Sequence, residues 1–249
     1  MMHVFRRVPP YSELHVRRMR DDDVALVEAM MNQTTWAFLS VTPDEIPLML
    51  ADGLSLIAEA QGKIWASVLA SWSHQPSVWI RGIVIHHSLR LRDVLPQFLH
   101  ACIQHCACQQ ARTIYIMLDP RDQHWLYAPL SEVGFEHTLD VVGYEKRSFE
   151  IPSWGNTRIA VRPATHADIA AIAHVDAQAF PSEWVKSAAI LSGVMPYAPL
   201  YLVAEDAGTM IGYAFATSHH SGRMMHLVRI AVLPHYQHHG VGVRLMAEV

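Results

Sequence analysis

Apolar and polar residues are arranged along the chain in blocks that predict short strands and amphipathic helices. The clearest block is the apolar run 227–233, which only Arg229 interrupts. This run is too short for a typical helix, so it predicts a largely buried strand. Pro234 ends the strand because proline cannot donate a ladder hydrogen bond. A turn containing Gly240 and Gly242 follows, and a helical pattern begins directly after it.

Much of this pattern occurs twice. The hairpin predicted from Leu54 to Trp72 recurs from Leu200 to Thr217. At a shift of 146 positions, six residues of the first copy have an identical counterpart in the second: Leu54, Leu56, Ala58, Glu59, Gly62 and Ala70 correspond to Leu200, Leu202, Ala204, Glu205, Gly208 and Ala216. Identities at a single shift of this size indicate an internal duplication.

The elements around the hairpins repeat as well. The strand predicted at 14–17 has its counterpart at 159–162, and Ile83–Ile85 has its counterpart at Ile230–Val232. Residues 152–157 interrupt both patterns with Pro, Ser and Gly, which are typical of a connecting segment. We therefore predict a first domain at 1–151, a linker at 152–157 and a second domain at 158–249.

Composition limits the possible partners. Of the 249 residues, 51% are hydrophobic, and the formal net charge is −4 with Lys and Arg scattered along the chain. The apolar fraction is ample for buried cores, and no basic patch indicates a nucleic-acid partner. No apolar run approaches the roughly 20 residues of a membrane span, and the first residues lack the apolar core of a signal peptide. A cytoplasmic protein without a membrane partner is expected.

The three cysteines, Cys102, Cys106 and Cys108, fall in one predicted helix and contain no Cys-x-x-Cys pair. Cys102 and Cys106 continue an apolar stripe at helical spacing, which favours core residues of a reduced protein over a disulfide. The histidines of the chain also lack a standard ligand spacing, so no metal site is expected.

The turn after the strand 227–233 has the chemistry of an anion site. Main-chain amides before a helix, supported by the helix dipole, bind anions such as a diphosphate. Glycines let a ligand approach the main chain where a Cβ would collide. The residues expected to hold such a diphosphate are Gln237, His238, His239, Gly240, Val241, Gly242 and Val243.

The spacing Gln-x-x-Gly-x-Gly of this turn, together with the strand end Ile230–Pro234 and Tyr236, resembles the acetyl-CoA loop of the GNAT superfamily of N-acyltransferases. The resemblance covers residues 158–246 with the motif and residues 14–148 as fold only. The arrangement is similar to that of mycothiol synthases, which also have two such domains. It implies an α/β (α+β) fold with two GNAT-like units, each a mixed, mostly antiparallel, twisted sheet flanked by helices.

The resemblance also implies a cosubstrate and a reaction. Acetyl-CoA would donate its acetyl group to an amine of a small molecule or a peptide, and main-chain groups of Ile230 and Val232 would hold the pantetheine arm like an added strand. Family members usually have basic residues where this chain has His238 and His239. Histidine is mostly uncharged at neutral pH, so diphosphate binding would depend more on main-chain amides.

One candidate for the general base follows from the same resemblance. Histone acetyltransferases of this superfamily have a catalytic glutamate six residues before the end of the strand, and His226 is at that position here. An imidazole suits the role because its ordinary pKa of about 6.5 lets it take a proton near neutrality. The alternative is a strand histidine that hydrogen-bonds a neighbour and has no catalytic role.

The first copy departs from the motif. Gly240 and Gly242 correspond to Asp93 and Leu95, so we expect a carboxylate and a bulky side chain where a diphosphate would rest. The tyrosine that often serves the family as general acid, four residues before a Gly-Phe pair, corresponds to Leu130. We therefore predict that the first domain is not catalytic.

The second copy is shorter than the first. Position 249 corresponds to position 102, so counterparts are missing for residues 103–147, including a predicted strand at 113–118, a helix near 122–133 and the closing strands. Such a sheet has an open edge. We expect a second unit truncated at its C-terminus with its general acid beyond Val249, or a homodimer in which a second chain supplies the missing strands. A non-catalytic acyl-CoA-binding sensor or scaffold is the alternative to an enzyme.

Overall fold

The computed structural model describes residues 7–41, 46–148, 150–219 and 221–249, without the side chain of Leu48. The chain divides into two compact units, Met1–Asp140 and Val141–Val249. The predicted linker 152–157 thus lies within the second unit. Each unit contains one sheet flanked by helices, as expected for the α/β fold class. None of the described helices combines the length and apolar character that crossing a membrane requires.

The first unit is built on a six-stranded sheet. Its strands are β1 (His15–Arg18), β2 (Ala37–Leu39), β3 (Leu56–Ala60), β4 (Lys63–His74), β5 (Ser77–Ile85) and β6 (Thr113–Ile116), and its helices are α1 (Val24–Met31), α2 (Ile46–Leu50), α3 (Leu91–Cys108) and α4 (Tyr127–Glu132). The order is β1-β3-β4-β5-β2 with antiparallel neighbours, and β6 pairs with β5 in parallel.

Helices cover both faces of this sheet. The helices α3 and α4 pack on one face, where Phe98, Cys102 and Cys106 are fully buried. The helices α1 and α2 pack on the other face through Val27 and Ile46. The two buried cysteines are free thiols, and their place in the core is the one that the helical stripe predicted.

The expected closing strands of the first unit are not formed. The described residues of the range 136–150 contain neither helix nor strand. The apolar residues of this stretch, Leu139, Val141, Val142 and Tyr144, are exposed. These side chains are not buried against the sheet, and a strand is stabilised mainly by such packing.

The second unit is built on a four-stranded antiparallel sheet. Its strands are β7 (Ala160–Pro163), β8 (Leu200–Asp206), β9 (Thr209–His219) and β10 (Met224–Val232), in the order β10-β9-β8-β7, and its helices are α5 (Ile169–Ala179), α6 (Ala188–Val194) and α7 (Val241–Ala247). The helices α5 and α6 bury Tyr213 and Phe215 on one face. The helix α7 packs Val241 and Leu245 on the other face.

Both units contain the same ion triad. Arg17 donates to the two carboxylate oxygens of Asp23 at 2.7 and 2.9 Å, and to those of Glu59 at 2.9 and 2.8 Å. The second unit repeats the arrangement, at distances of 2.6 to 3.1 Å, in Arg162, Asp168 and Glu205. Bidentate pairs of this kind fix orientation as well as charge. In each unit the triad therefore holds the first strand to the hairpin of that unit, through Glu59 in the first and Glu205 in the second.

A β-bulge also falls at the same place in both sheets. The register of β5 against β4 shifts at Arg81, and the register of β10 against β9 shifts at Val228. The residues that follow the two bulges, Gly82 and Arg229, therefore occupy equivalent positions. These shared contacts agree with the duplication inferred from the sequence.

Candidate functional site

The loop between β10 and α7 has the backbone conformation of an anion-binding turn. β10 ends at Val232, and α7 begins at Val241, two residues before the predicted start. Between them, His238 (φ 63°) and Gly240 (φ 78°) adopt left-handed conformations. Left-handed residues within a turn direct successive N–H groups toward one concavity, which is the geometry of anion-binding nests.

The amides of this loop are available to a ligand. The N–H of Gln237 donates to the Pro234 carbonyl at 3.3 Å, and the N–H of Arg244 donates to the Gly240 carbonyl at 3.0 Å. The six amides between them, 238–243, have no acceptor in hydrogen-bonding geometry within the described ranges. Buried or ligand-facing N–H groups need a partner. The loop is therefore a set of consecutive donors suited to an anion.

Gln237 and His239 stabilise the loop through their side chains. The Gln237 side-chain amide donates to the Val232 carbonyl at 3.0 Å, and the Nδ1–H of His239 donates to the Gln237 carbonyl at 2.7 Å. His238 and His239 are both exposed. Of the seven residues proposed to hold a diphosphate, Gln237 thus shapes the turn, because both its main-chain and side-chain donors are already used.

The two glycines differ in what they require. A Cβ on Gly240 would lie 3.1 Å from the Asn156 nitrogen and would need a left-handed φ, so glycine is required there. A Cβ on Gly242 would meet only Val232 Cγ2, at 4.0 Å. Asn156 donates from its main chain to the Gly240 carbonyl and from its side chain to the His239 carbonyl, each at 3.1 Å. The segment before β7 therefore braces the loop.

The end of β10 presents main chain rather than side chains. Ile230 and Val232 pack their side chains into the core under α7. β10 is the edge strand of its sheet, and in the part of the chain that the structure describes no strand pairs with its outer side. Main-chain groups at this edge are open to an extended ligand, apart from the Val232 carbonyl that Gln237 occupies.

His226 lies on β10 before the bulge, with an exposed side chain opposite Thr217. Its ring centroid is 5.9 Å from that of His219, whose Nε2 is 3.0 Å from the Thr217 hydroxyl. Among the described residues, no carboxylate forms an ion pair with His226. The structure thus places an accessible imidazole on the predicted strand, and its role as a base stays a prediction.

A buried polar network in the second unit was not predicted from the sequence. Arg229 donates to both oxygens of Asp176, at 2.6 and 2.9 Å, and its Nε is 3.0 Å from the Tyr213 hydroxyl. The Tyr213 hydroxyl also donates to Asp176. Burial raises the pKa of the Tyr213 phenol, so it stays protonated and acts as a donor. All three side chains are buried.

This network reaches the turn between α5 and α6. Arg229 donates to the Trp184 carbonyl, and Asp176 accepts from the Lys186 amide at 2.7 Å. The Arg229 guanidinium also lies 3.8 Å from the centroid of the Phe180 ring. The sequence contained one signal for this network, namely a single arginine inside an otherwise apolar strand, because a buried charge needs a partner.

The equivalent loop of the first unit is helical. α3 begins at Leu91, three residues before the counterpart of Val241, and the Asp93 amide donates to the Arg90 carbonyl at 3.0 Å. Of the positions that correspond to the six open amides, Asp93 is thus already bonded and Pro96 has no amide to donate. The expectation that Leu95 blocks a ligand was wrong, because this side chain is fully buried in the core. Leu130 is likewise a core residue.

No metal centre is found in the ranges that the structure covers, since no three His, Cys, Asp or Glu side chains there are grouped to hold an ion. The candidate chemistry of the second unit therefore consists of the open amides, the edge of β10 and His226.

Comparison with known proteins finds a family model that matches part of the second unit. Residues 169–249 match the model described as the Acetyltransferase (GNAT) family. No curated protein matches the chain in sequence. The family match supports acyl transfer as the class of reaction.

Two solved structures share the fold across both units. A GCN5-related N-acetyltransferase from Sphaerobacter thermophilus is 15% identical, with a TM-score of 0.57, and the alignment covers 96% of this chain and 82% of that chain. A GCN5-related glucosamine N-acetyltransferase region of a fungal multi-domain GH3 β-N-acetylglucosaminidase is 16% identical, with a TM-score of 0.68, covering 97% of this chain and 34% of that chain. At these identities the likeness shows the fold alone. The family match is to residues 169–249, within the second unit.

Proposed function

We propose that the second unit binds acetyl-CoA at the loop 237–243 and transfers the acetyl group to an amine of a small molecule or a peptide. The observation that carries this proposal is the run of six available amides, 238–243, inside the region that matches the family model. A diphosphate fits these donors because its oxygens accept hydrogen bonds. Residues 237–243 also include no Asp or Glu that would repel it.

In this proposal, different residues of the second unit bind the cosubstrate and remove the proton of the acceptor amine. The amides 238–243 hold the diphosphate, and the main chain of Ile230 and Val232 holds the pantetheine arm along the β10 edge. His226 takes the proton of the acceptor amine, which makes the amine nucleophilic. Bound acetyl-CoA supplies the thioester that is the acyl donor. The turn between α5 and α6, with the half-buried Glu183, forms part of the acceptor side.

The first unit contributes no chemistry in this proposal. Its loop amides belong to a helix, and Leu130 is in the core where the family's tyrosine acid would be. The repeated triad and bulge support a tandem pair of GNAT units, one degenerate and one competent.

Calorimetry with acetyl-CoA and thiol release with a panel of amines test the proposal. We expect saturable binding and amine-dependent release. Binding without release for any amine supports a sensor or scaffold instead, and the absence of binding overturns the proposal.

His226→Gln tests the base. We expect kcat to fall by about 10²-fold or more while acetyl-CoA affinity is unchanged, because general-base catalysis contributes roughly 10²–10⁴-fold. His219→Gln is the matched control, since His219 is a neighbouring exposed histidine of the same sheet. An unchanged kcat in His226→Gln assigns the base to another group.

A further inference from the structure

The first unit covers the strand edge that the second unit leaves open. In the first unit β2 pairs with β5, with Leu39 opposite Gly82 and Ala37 opposite Val84. The Ile85 amide also donates to the Trp36 carbonyl at 2.9 Å. Residues 36–39 thus occupy the edge of β5 that corresponds to Arg229–Val232 of β10.

Gly82 makes this pairing possible. A Cβ on Gly82 would lie 2.8 Å from Leu39 Cδ1 and 3.3 Å from the Phe38 carbonyl oxygen, so any side chain would collide with β2. In the second unit the equivalent position is Arg229, one residue after the bulge. A segment lying on β10 as β2 lies on β5 would have to shift to make room for this side chain.

The second unit holds the corresponding segment differently. Residues 181–185 correspond to 36–40 at the shift of 145 that relates Arg17 and Asp23 to Arg162 and Asp168. They form a turn and irregular backbone rather than a strand. Arg229 donates to the Trp184 carbonyl, and Asp176 accepts from the Lys186 amide at 2.7 Å. The network therefore fastens the turn at the Trp184 carbonyl and at the Lys186 amide.

The first unit has lost the whole network, not only the arginine. The counterparts of Asp176 and Tyr213 are Met31 and Ser67. The buried Ser67 hydroxyl has no hydrogen-bond partner among the described residues. Buried hydroxyl groups are rarely left unpaired. The unpaired Ser67 hydroxyl therefore lies at the position that Tyr213 of the network occupies in the second unit.

We propose that Asp176, Tyr213 and Arg229 form a positioning clamp that holds residues 180–186 away from the β10 edge, so that Ile230–Val232 remain available to the pantetheine arm of an acyl-CoA. The inference rests on the proposed function, because it assigns that edge to pantetheine. Residues 180–186 and the ligand would otherwise compete for the main-chain groups of Ile230–Val232. By holding this segment back, the clamp leaves these groups to the ligand. These three are positioning residues that do not touch the reacting atoms.

The double variant Arg229→Gly/Asp176→Met tests the clamp because it copies the first unit. The change leaves a cavity at position 229 and removes both partners of the Tyr213 hydroxyl, so thermal unfolding checks that the variant is folded. We expect acetyl-CoA affinity to fall at least tenfold. Affinity for 3′-phosphoadenosine 5′-diphosphate, which has the diphosphate but no pantetheine, is expected to change less than twofold.

The outcomes separate the two proposals. If the wild-type chain binds neither ligand, the proposed function fails. If the wild-type chain binds acetyl-CoA and the folded double variant binds it equally well, the function stands and the clamp is overturned. Equal weakening for both ligands also overturns the clamp, because it indicates general damage to the site.

Tyr213→Phe decides the matter if the double variant does not fold, since it removes only the phenol hydroxyl from the network. We expect faster hydrogen exchange at the amides of 184–186 and a two- to threefold loss in acetyl-CoA affinity, with the pantetheine-free ligand unaffected. Unchanged exchange and affinity overturn the clamp.

Discussion

Gly155 approaches Gly240 so closely that a Cβ on Gly155 would lie 2.5 Å from the Gly240 carbonyl oxygen. The same Cβ would lie 2.5 Å from the Arg244 nitrogen, and Gly155 has a left-handed φ of 60°. The segment before β7 can therefore brace the loop only if residue 155 is glycine.

Gly155→Ala is expected to move Asn156 off the loop and to lower the free energy of unfolding of the second unit by about 1–3 kcal/mol. Acetyl-CoA affinity is expected to fall with it. Urea denaturation and calorimetry measure the two effects. Gly143→Ala is the control, because no atom lies within 4 Å of its Cβ position. Equal behaviour of the two variants would show that the brace has no role.

The repeated pattern in the sequence anticipated much of this fold. β10 and α7 were predicted to within three residues of their observed ends, because an apolar run bounded by proline and glycines is a local signal. Contacts that join distant parts of the chain were harder to predict.

The Asp176–Arg229 pair joins residues 53 positions apart, and no local pattern determines that α5 carries the partner of a strand arginine. The predicted orientation of Leu95 was wrong because it depends on where α3 begins. The helix starts at Leu91, three residues before the counterpart of Val241, and this changes which side chains face the core. The open amides of the second unit follow from two left-handed residues, of which only Gly240 could be recognised from its residue type.

Asp23 is expected to stabilise the first unit in a pH-dependent manner. The Arg17 guanidinium beside it holds the pKa of the buried Asp23 carboxyl below its usual range. A carboxyl with a lowered pKa contributes stability that is present above its ordinary value of 3.8 and is lost as the pH falls through the folded-state value.

Asp23→Asn should therefore lower the free energy of unfolding by about 1–3 kcal/mol at pH 7, since it removes charge-assisted hydrogen bonds. The difference from wild type should shrink below pH 4. Denaturant titrations at several pH values measure it, with the exposed neighbour Asp22→Asn as control. A pH-independent difference would contradict this explanation.

His86 is expected to impose a second pH dependence on the first unit. Burial, followed by the positive charges of Lys63 and His87, lowers the pKa of His86 to about 4 from its ordinary value of 6.5. Between pH 4 and pH 6.5 the His86 imidazole is therefore protonated in the unfolded state and neutral in the folded state. Stability is therefore complete above pH 6.5 and is lost as the pH falls toward 4.

The loss is expected to reach up to about 3 kcal/mol, since each pKa unit corresponds to roughly 1.4 kcal/mol. His86→Leu, which copies Leu233 of the second unit, should flatten the stability profile between pH 6.5 and 4. The exposed His100→Leu should leave the profile as it is in the wild type. An unchanged slope in His86→Leu would assign the dependence to other groups.

Acetyl-CoA calorimetry on Val243→Asp and Val243→Asn tests the central claim most directly. Val243 is 44% exposed in the first turn of α7, where an aspartate is compatible with the helix dipole, so the fold should be kept. The variants differ in one negative charge beside the amides 238–243. We predict that Val243→Asn binds within about threefold of wild type and that Val243→Asp binds about 10- to 100-fold more weakly, as like charges at close range require. Equal affinity of the two variants for acetyl-CoA would contradict the account, because it would show that no diphosphate rests on this loop.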